Sequence, residues 1–166
     1  MTTELTYRKS ERGFTMIEVM IALIVLSFGL LAVAAMQDMA LGRNVDANEM
    51  SVVTNLAADM LERIRFNRPN VAAYNGVDTS NAGTRPPNAQ AMAQGDYDQW
   101  AARLAATRLG GVRGLVTVAA LGPANLNQSQ VTVQVTWTGG GRTGSGTLKT
   151  VLRSRAVSFG TIIAPE

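Results

Sequence analysis

The chain changes character twice along its length. From Phe14 to Met36 it is an apolar run with a single charge, Glu18. About 20 apolar residues suffice to cross a bilayer as a helix. An acid inside such a segment costs roughly 2.5–3.5 kcal/mol near the centre and less toward an end. Glu18 therefore calls for a compensating partner. Beyond Met36 the pattern becomes amphipathic. Met39, Met50, Val53, Leu56, Ala57, Met60, Leu61 and Ile64 recur, from Met50 onward at steps of three and four. Asp46, Glu49, Asp59, Glu62, Arg63 and Arg65 fall mostly between them, the signature of a helix with one apolar stripe. Read as continuous from Phe14 to Asn67, this helix is on the order of 80 Å long. Gly29 and Gly42 weaken it by about 1 kcal/mol each relative to alanine, and Gly29 is the expected place for local melting. Pro69 ends it.

The second half reads as short elements. Residues 68–95, punctuated by Asn75-Gly76, Ala82-Gly83 and Pro86-Pro87, predict a long surface loop. Asp96 or Asp98 is placed to cap a short helix running to about Arg108, stopped by Gly110-Gly111. Trp100, Ala101, Leu104 and Ala105 form its expected buried face, with Arg103 and Arg108 outward. Leu115 to Leu121 predicts a strand. Gln130 to Trp137 alternates, with Val131, Val133, Val135 and Trp137 on one face. Gly139 to Gly146 is the expected hairpin connection, and Thr147 to Phe159 the last strand, with Leu148 inward. The predicted fold class is α+β: a long N-terminal helix, apolar all round in its first half, packed on a small antiparallel β-sheet. A sheet this small needs such a partner.

Composition removes most enzyme chemistry. The 166 residues include no Cys and no His, and the lysines are Lys9 and Lys149. The commonest general base, the commonest metal ligand and every thiolate are missing. No catalytic residue, metal or other cofactor is expected. Asp78, Asp96 and Asp98 lack the spaced loop and closing Glu of a Ca²⁺ site, so capping is the better reading of Asp96 and Asp98. Gly139 to Gly146 lacks the Gly-Lys-Ser/Thr ending of a phosphate loop. The net charge is +3. Arg103, Arg108, Arg113, Arg142, Arg153 and Arg155 make the C-terminal part basic, but with few aromatics among them they argue weakly for nucleic acid.

Arg8, Lys9 and Arg12 precede the apolar run, which by the positive-inside rule keeps the N-terminus cytoplasmic and sends the rest outward. Three readings of this start compete. A removable signal peptide would end near Ala32-Val33-Ala34, leaving a secreted binding protein that begins near Ala35. Against it, the apolar run exceeds the usual core of roughly 7–15 residues and contains a charge. The second reading is a plain signal anchor. The third is a cut at Gly13-Phe14 that leaves the apolar helix on the mature chain.

The segment Arg12-Gly13-Phe14-Thr15-Met16-Ile17-Glu18-Val19 resembles the processing site of type IV prepilins and the related type II secretion pseudopilins. The resemblance implies that a prepilin peptidase cuts after Gly13 on the cytoplasmic face and N-methylates Phe14. The new ammonium at Phe14 then lies four residues from Glu18, one helical turn away. In a bundle, Glu18 of one subunit can meet the Phe14 ammonium of its neighbour. A unit pair at ~4 Å is worth about 4 kcal/mol at an effective dielectric near 20, before desolvation is subtracted.

Leu56 to Arg65, Asp96 to Leu104 and the strand ending Thr136-Trp137 are further similar to minor pilins of the type IV pilus modification protein PilV family. The Cys pair that often closes a pilin's C-terminal loop is missing. The resemblance implies a leader at 1–13, a transmembrane and assembly helix at 14–36 and a periplasmic head at 37–166. It implies a single-pass inner-membrane subunit that enters a pilus and supports its biogenesis, twitching motility or adhesion. Its implied partners are other pilins through the N-terminal helix, the prepilin peptidase, the pilus assembly machinery of the inner membrane and the bilayer itself.

Overall fold

A computed structural model describes residues 13–122, 127–142 and 150–164, with side chains left undescribed at 140–153. The chain forms two compact units, Met1–Leu41 and Gly42–Glu166. One helix, α1 (Met16–Phe66), contributes to both.

In the first unit, α1 is uninterrupted through Gly29. Every side chain from residue 13 to residue 41 is exposed. Its one mid-helix hydroxyl, Ser27, donates to the Leu23 carbonyl at 2.7 Å, so it needs no outside partner. This segment is long and apolar enough to cross a membrane. Among the described residues of its own unit it has nothing to bury itself against.

The second unit has a core of its own. The remainder of α1 buries Val53, Ala57, Met60, Leu61 and Ile64, while Met39 and Met50 at the start of the expected stripe stay exposed. The helix packs on a three-stranded antiparallel sheet in the order β1 (Gly110–Leu121), β2 (Gln128–Arg142), β3 (Thr150–Ile163). The alternation read along β2 is the buried row: Val131, Val133, Val135 and Trp137 are all 1% exposed or less. Val116 and Phe159 flank Val133 in register, so the row continues across the sheet. Two polar ties fix α1 along it. The Trp137 indole donates to Glu49 at 3.1 Å, and Arg155 pairs with Asp46 at 2.9 Å.

The second helix, α2 (Ala91–Ala106), starts five residues before Asp96. Its buried face is Ala93, Tyr97, Trp100 and Leu104; Ala101 is half-buried and Ala105 exposed. Trp100 is the anchor: its indole donates to the Leu56 carbonyl of α1 at 2.9 Å. Neither Asp96 nor Asp98 caps the helix. Asp96 accepts from Arg63 and Tyr74, and Asp98 takes both ends of the Arg85 guanidinium. These partners lie 13 to 33 residues away, and charge-assisted bonds to them outweigh a cap.

The stop signal also differs from expectation. Gly110 and Gly111 belong to β1, and the left-handed residue after α2 is Arg108, at φ 56°. A Cβ in that region costs roughly 1 kcal/mol. Arg108→Gly should therefore raise stability by up to about 1 kcal/mol, read as a higher midpoint of chemical unfolding.

Residues 68–95 are largely ordered turns. Short 3-10 helices span Arg68–Tyr74, Ala82–Thr84 and Asn88–Gln90, and Val71, Tyr74 and Val77 are buried. Gly76, at φ +74°, turns the chain onto the outer edge of β1. There Gly76 N donates to Val116 O at 3.0 Å, Val116 N to Val77 O at 2.9 Å, and Thr79 N to Gly114 O at 2.9 Å. The expected hairpin connection is partly strand, since 139–142 lie in β2; the rest of it, 143–146, and the start of the expected last strand, 147–149 with Leu148, lie outside the described residues. The last strand runs beyond Phe159 to Ile163.

Candidate assembly site

Gly13, Phe14 and Thr15 precede the helix in non-helical backbone, and α1 begins at Met16. Thr15 caps it. Its carbonyl accepts from Glu18 N at 3.0 Å and Val19 N at 3.3 Å, and its hydroxyl accepts from Glu18 N at 3.4 Å. Thr15-Met16-Ile17-Glu18 thus has the spacing of a capping box, a threonine followed three residues on by a glutamate. Glu18 sits in the first turn, where the positive end of the helix dipole favours a carboxylate. The helical alignment of Phe14 above Glu18 is not what the chain adopts, because Phe14 lies outside the helix. Instead Gly13, Phe14, Thr15 and Glu18 line one shallow, open concavity. Phe14 is 83% exposed. The Gly13-Phe14 bond is therefore in accessible, non-helical chain ahead of the first turn.

The second unit holds a polar cluster that local spacing did not reveal. Arg63 donates to Asp59 of α1 and to Asp96 and Gln99 of α2, each at 3.0 Å. Arg103 returns from α2 to Asp59 at 3.0 Å. The Tyr74 hydroxyl donates to Asp96 at 2.6 Å and accepts from Asn67 at 3.0 Å. Burial, with the Asp96 bond, pushes the Tyr74 hydroxyl well above its ordinary pKa. Each polar group in the cluster has a neighbour, and the cluster clamps α2 to α1. Of its members, only Asp59 and Arg63 carried a sequence signal, their i,i+4 spacing. A separate pair, Asp78 with Arg113, holds residues 76–79 on the sheet. Among the described residues, no group of His, Cys, Asp and Glu is arranged to hold a metal ion.

The family model described as the prokaryotic N-terminal methylation motif matches residues 8–34. The chain carries a prepilin-type methylation motif. The match supports a type IV pilin-like family, whose members are structural rather than catalytic. It implies processing by a prepilin peptidase and assembly with other pilins. The motif and the apolar helix together fit anchoring in the inner membrane. No curated protein and no solved structure matches the chain.

Proposed function

We propose that this protein is a minor type IV pilin, most like the type IV pilus modification protein PilV, and that it works by assembly. Residues 1–13 are the leader, removed after Gly13. Residues 14–36 hold the mature subunit in the inner membrane and later pack among sister helices. Residues 37–166 form the head on the periplasmic side, exposed on the pilus after assembly. Phe14 becomes the methylated terminus, and Glu18 meets the ammonium of a neighbouring subunit. Pilus biogenesis, with twitching motility or adhesion as its outcome, is the role this supports.

One observation carries the reading. A methylation motif opens a helix whose first half is apolar and uncovered among the described residues of its unit, while the head has a core of its own. Such a helix wants lipid or other helices of its kind. An acid in the first turn of a membrane helix is costly unless paired, and a freshly exposed amino terminus nearby is a suitable partner.

Mass spectrometry of the mature chain tests the proposal. The expected mass begins at N-methylated Phe14. A chain beginning near Ala35, recovered free of membrane, overturns it in favour of a secreted protein. A type II secretion pseudopilin would share everything up to Met36; co-purification with secretion rather than pilus components would move the reading there. Glu18→Ala should insert and be cleaved normally, yet enter pili at a level reduced tenfold or more, measured by immunoblot of sheared pili. Wild-type incorporation of that variant would remove Glu18 from the assembly contact.

A further inference from the structure

Two residues compete to start α1. Thr15 holds the start in the structure. The bonds from Glu18 N and Val19 N end on its carbonyl, at 3.0 and 3.3 Å, and its hydroxyl accepts from Glu18 N at 3.4 Å. Gly13 is the rival. Glycine ranks level with threonine at the capping position and far above apolar residues. Phe14 is therefore skipped, and the next good start lies two residues back. A helix begun from Gly13 would take Phe14, Thr15 and Met16 into its first turn and bond Ile17 N to the Gly13 carbonyl. The structure has none of this. Gly13 to Thr15 are non-helical, and among the described residues no backbone N–H bonds to the Gly13 or Phe14 carbonyl.

The difference between the two starts falls on the bond that is cut. Hydrolysis adds water across Gly13 C and Phe14 N, leaving a carboxylate on Gly13 and an ammonium on Phe14. Begun from Thr15, the helix leaves that bond outside and its carbonyl free. Begun from Gly13, it ties the same carbonyl to Ile17 and curls the bond into the first turn. A peptidase must reach the main chain on both sides of the bond, so the curled form has to unwind first. When opening and closing outpace cleavage, the rate follows the population of the open form. The wrong start has a force behind it. In lipid, an N–H without water must be bonded within the chain, which favours a longer helix. Thr15 opposes this with its hydroxyl, and Glu18 three residues on completes the spacing of a capping box.

We propose that Thr15 is a positioning residue for processing: by fixing the start of α1 at Met16, it holds the Gly13-Phe14 bond in the form that a peptidase cuts. This rests on the reading above, in which the cut follows Gly13. Thr15 acts through the backbone and does not touch the reacting atoms. What position 15 must supply is an acceptor for an N–H of the first turn, so serine serves there as threonine does. Valine keeps the branched shape without the acceptor and does not serve.

The test is cleavage of the full-length protein in detergent by purified prepilin peptidase, with the product identified by mass spectrometry. Thr15→Ala and Thr15→Val should each slow cleavage after Gly13 roughly fivefold, the population change expected from losing a hydroxyl cap. Thr15→Ser should be cut at the wild-type rate. Met16→Pro separates positioning from contact with the enzyme. Proline is favoured at the first helical position and keeps the residue before it out of the helix, so it fixes the same start without a hydroxyl. In that background Thr15→Ala should make no difference to the rate. The Cα chemical shifts of Phe14 and Thr15, measured in detergent without peptidase, should move toward helical values when alanine replaces Thr15 alone, and stay put when Met16→Pro is added. An undiminished loss in the proline background means that the hydroxyl touches the peptidase, and overturns the proposal. Unchanged shifts, or an unchanged rate, in Thr15→Ala do the same. If Met16→Pro alone is not cut, the shifts decide. In each of these cases the cut after Gly13 stands. A wild-type chain not cut after Gly13 removes that reading and this inference with it.

Discussion

Gly114→Ala should destabilise the head by about 3 kcal/mol or more, at the upper end of what overpacking costs. For a chain of this size that lowers Tm by roughly 10 °C. Gly114 lies in β1 directly beneath α2. A methyl group there would overlap the Trp100 ring, 2.6 Å from Cζ3, and come within 2.9 Å of Leu104 Cδ1. The ring has nowhere to go. Trp100 is fully buried, and its indole is held by the Leu56 carbonyl at 2.9 Å. Moving β1 instead would strip the bonds that Gly114 makes to Thr79 through both its N–H and its carbonyl. Thermal unfolding of the full chain in detergent, followed by near-ultraviolet circular dichroism of the tryptophans, measures the effect. A double-mutant cycle with Trp100→Leu identifies the cause. The smaller side chain leaves room for the methyl, so the pair should be less destabilised than the sum of the singles by 1 kcal/mol or more. Additive losses would place the strain elsewhere.

That contact also marks where the sequence stops being informative. The stripe on α1 and the alternation on β2 are local periodicities, and Val53, Ala57, Met60, Ile64, Val131, Val133, Val135 and Trp137 all sit in the core as their spacing demands. The methylation motif is legible for the same reason: Gly13, Phe14 and Glu18 lie within one short run of chain. Gly114 carried no such signal. Its role depends on a ring from another element, and nothing in the run Val112 to Leu115 announces it. Asp96 and Asp98 misled for the converse reason. Acids ahead of an apolar face have the form of a cap, but Arg63 and Tyr74 claim one and Arg85 the other through contacts that only the fold creates. The start of α2 at Ala91 was hidden by the same mistake. Arg108 takes the left-handed position that a glycine was expected to fill, because the chain must turn into β1 two residues before Gly110 is reached. The order in residues 76–79 likewise comes from main-chain bonds to β1, which composition does not encode.

The head should lose stability in acid through one identifiable pair. Asp78 is nearly buried on the segment that closes the β1 edge. Its carboxylate accepts from Arg113 Nε at 2.9 Å and from the guanidinium NH2 group at 2.6 Å, and also from the Ser80 N–H and hydroxyl at 2.9 and 2.7 Å. The Arg113 bonds, against the opposing effect of burial and with help from Ser80, hold its pKa down to about 2, from an ordinary 3.8. A carboxylate with a lower pKa in the folded state contributes stability that is complete above the unfolded value and disappears as pH falls through the folded one. The window is therefore pH 4 to 2. Arg113 is about half exposed, so solvent screening trims the contribution to about 1–2 kcal/mol. Asp78→Asn should lose a similar amount at pH 7, because the neutral amide cannot replace a bidentate ion pair. Below pH 2 the two proteins should converge. Urea midpoints of the full chain in detergent, taken from pH 7 to pH 2, give both curves. A gap between wild type and variant that persists unchanged at pH 2 would show that Asp78 acts through its shape and neutral hydrogen bonds rather than its charge.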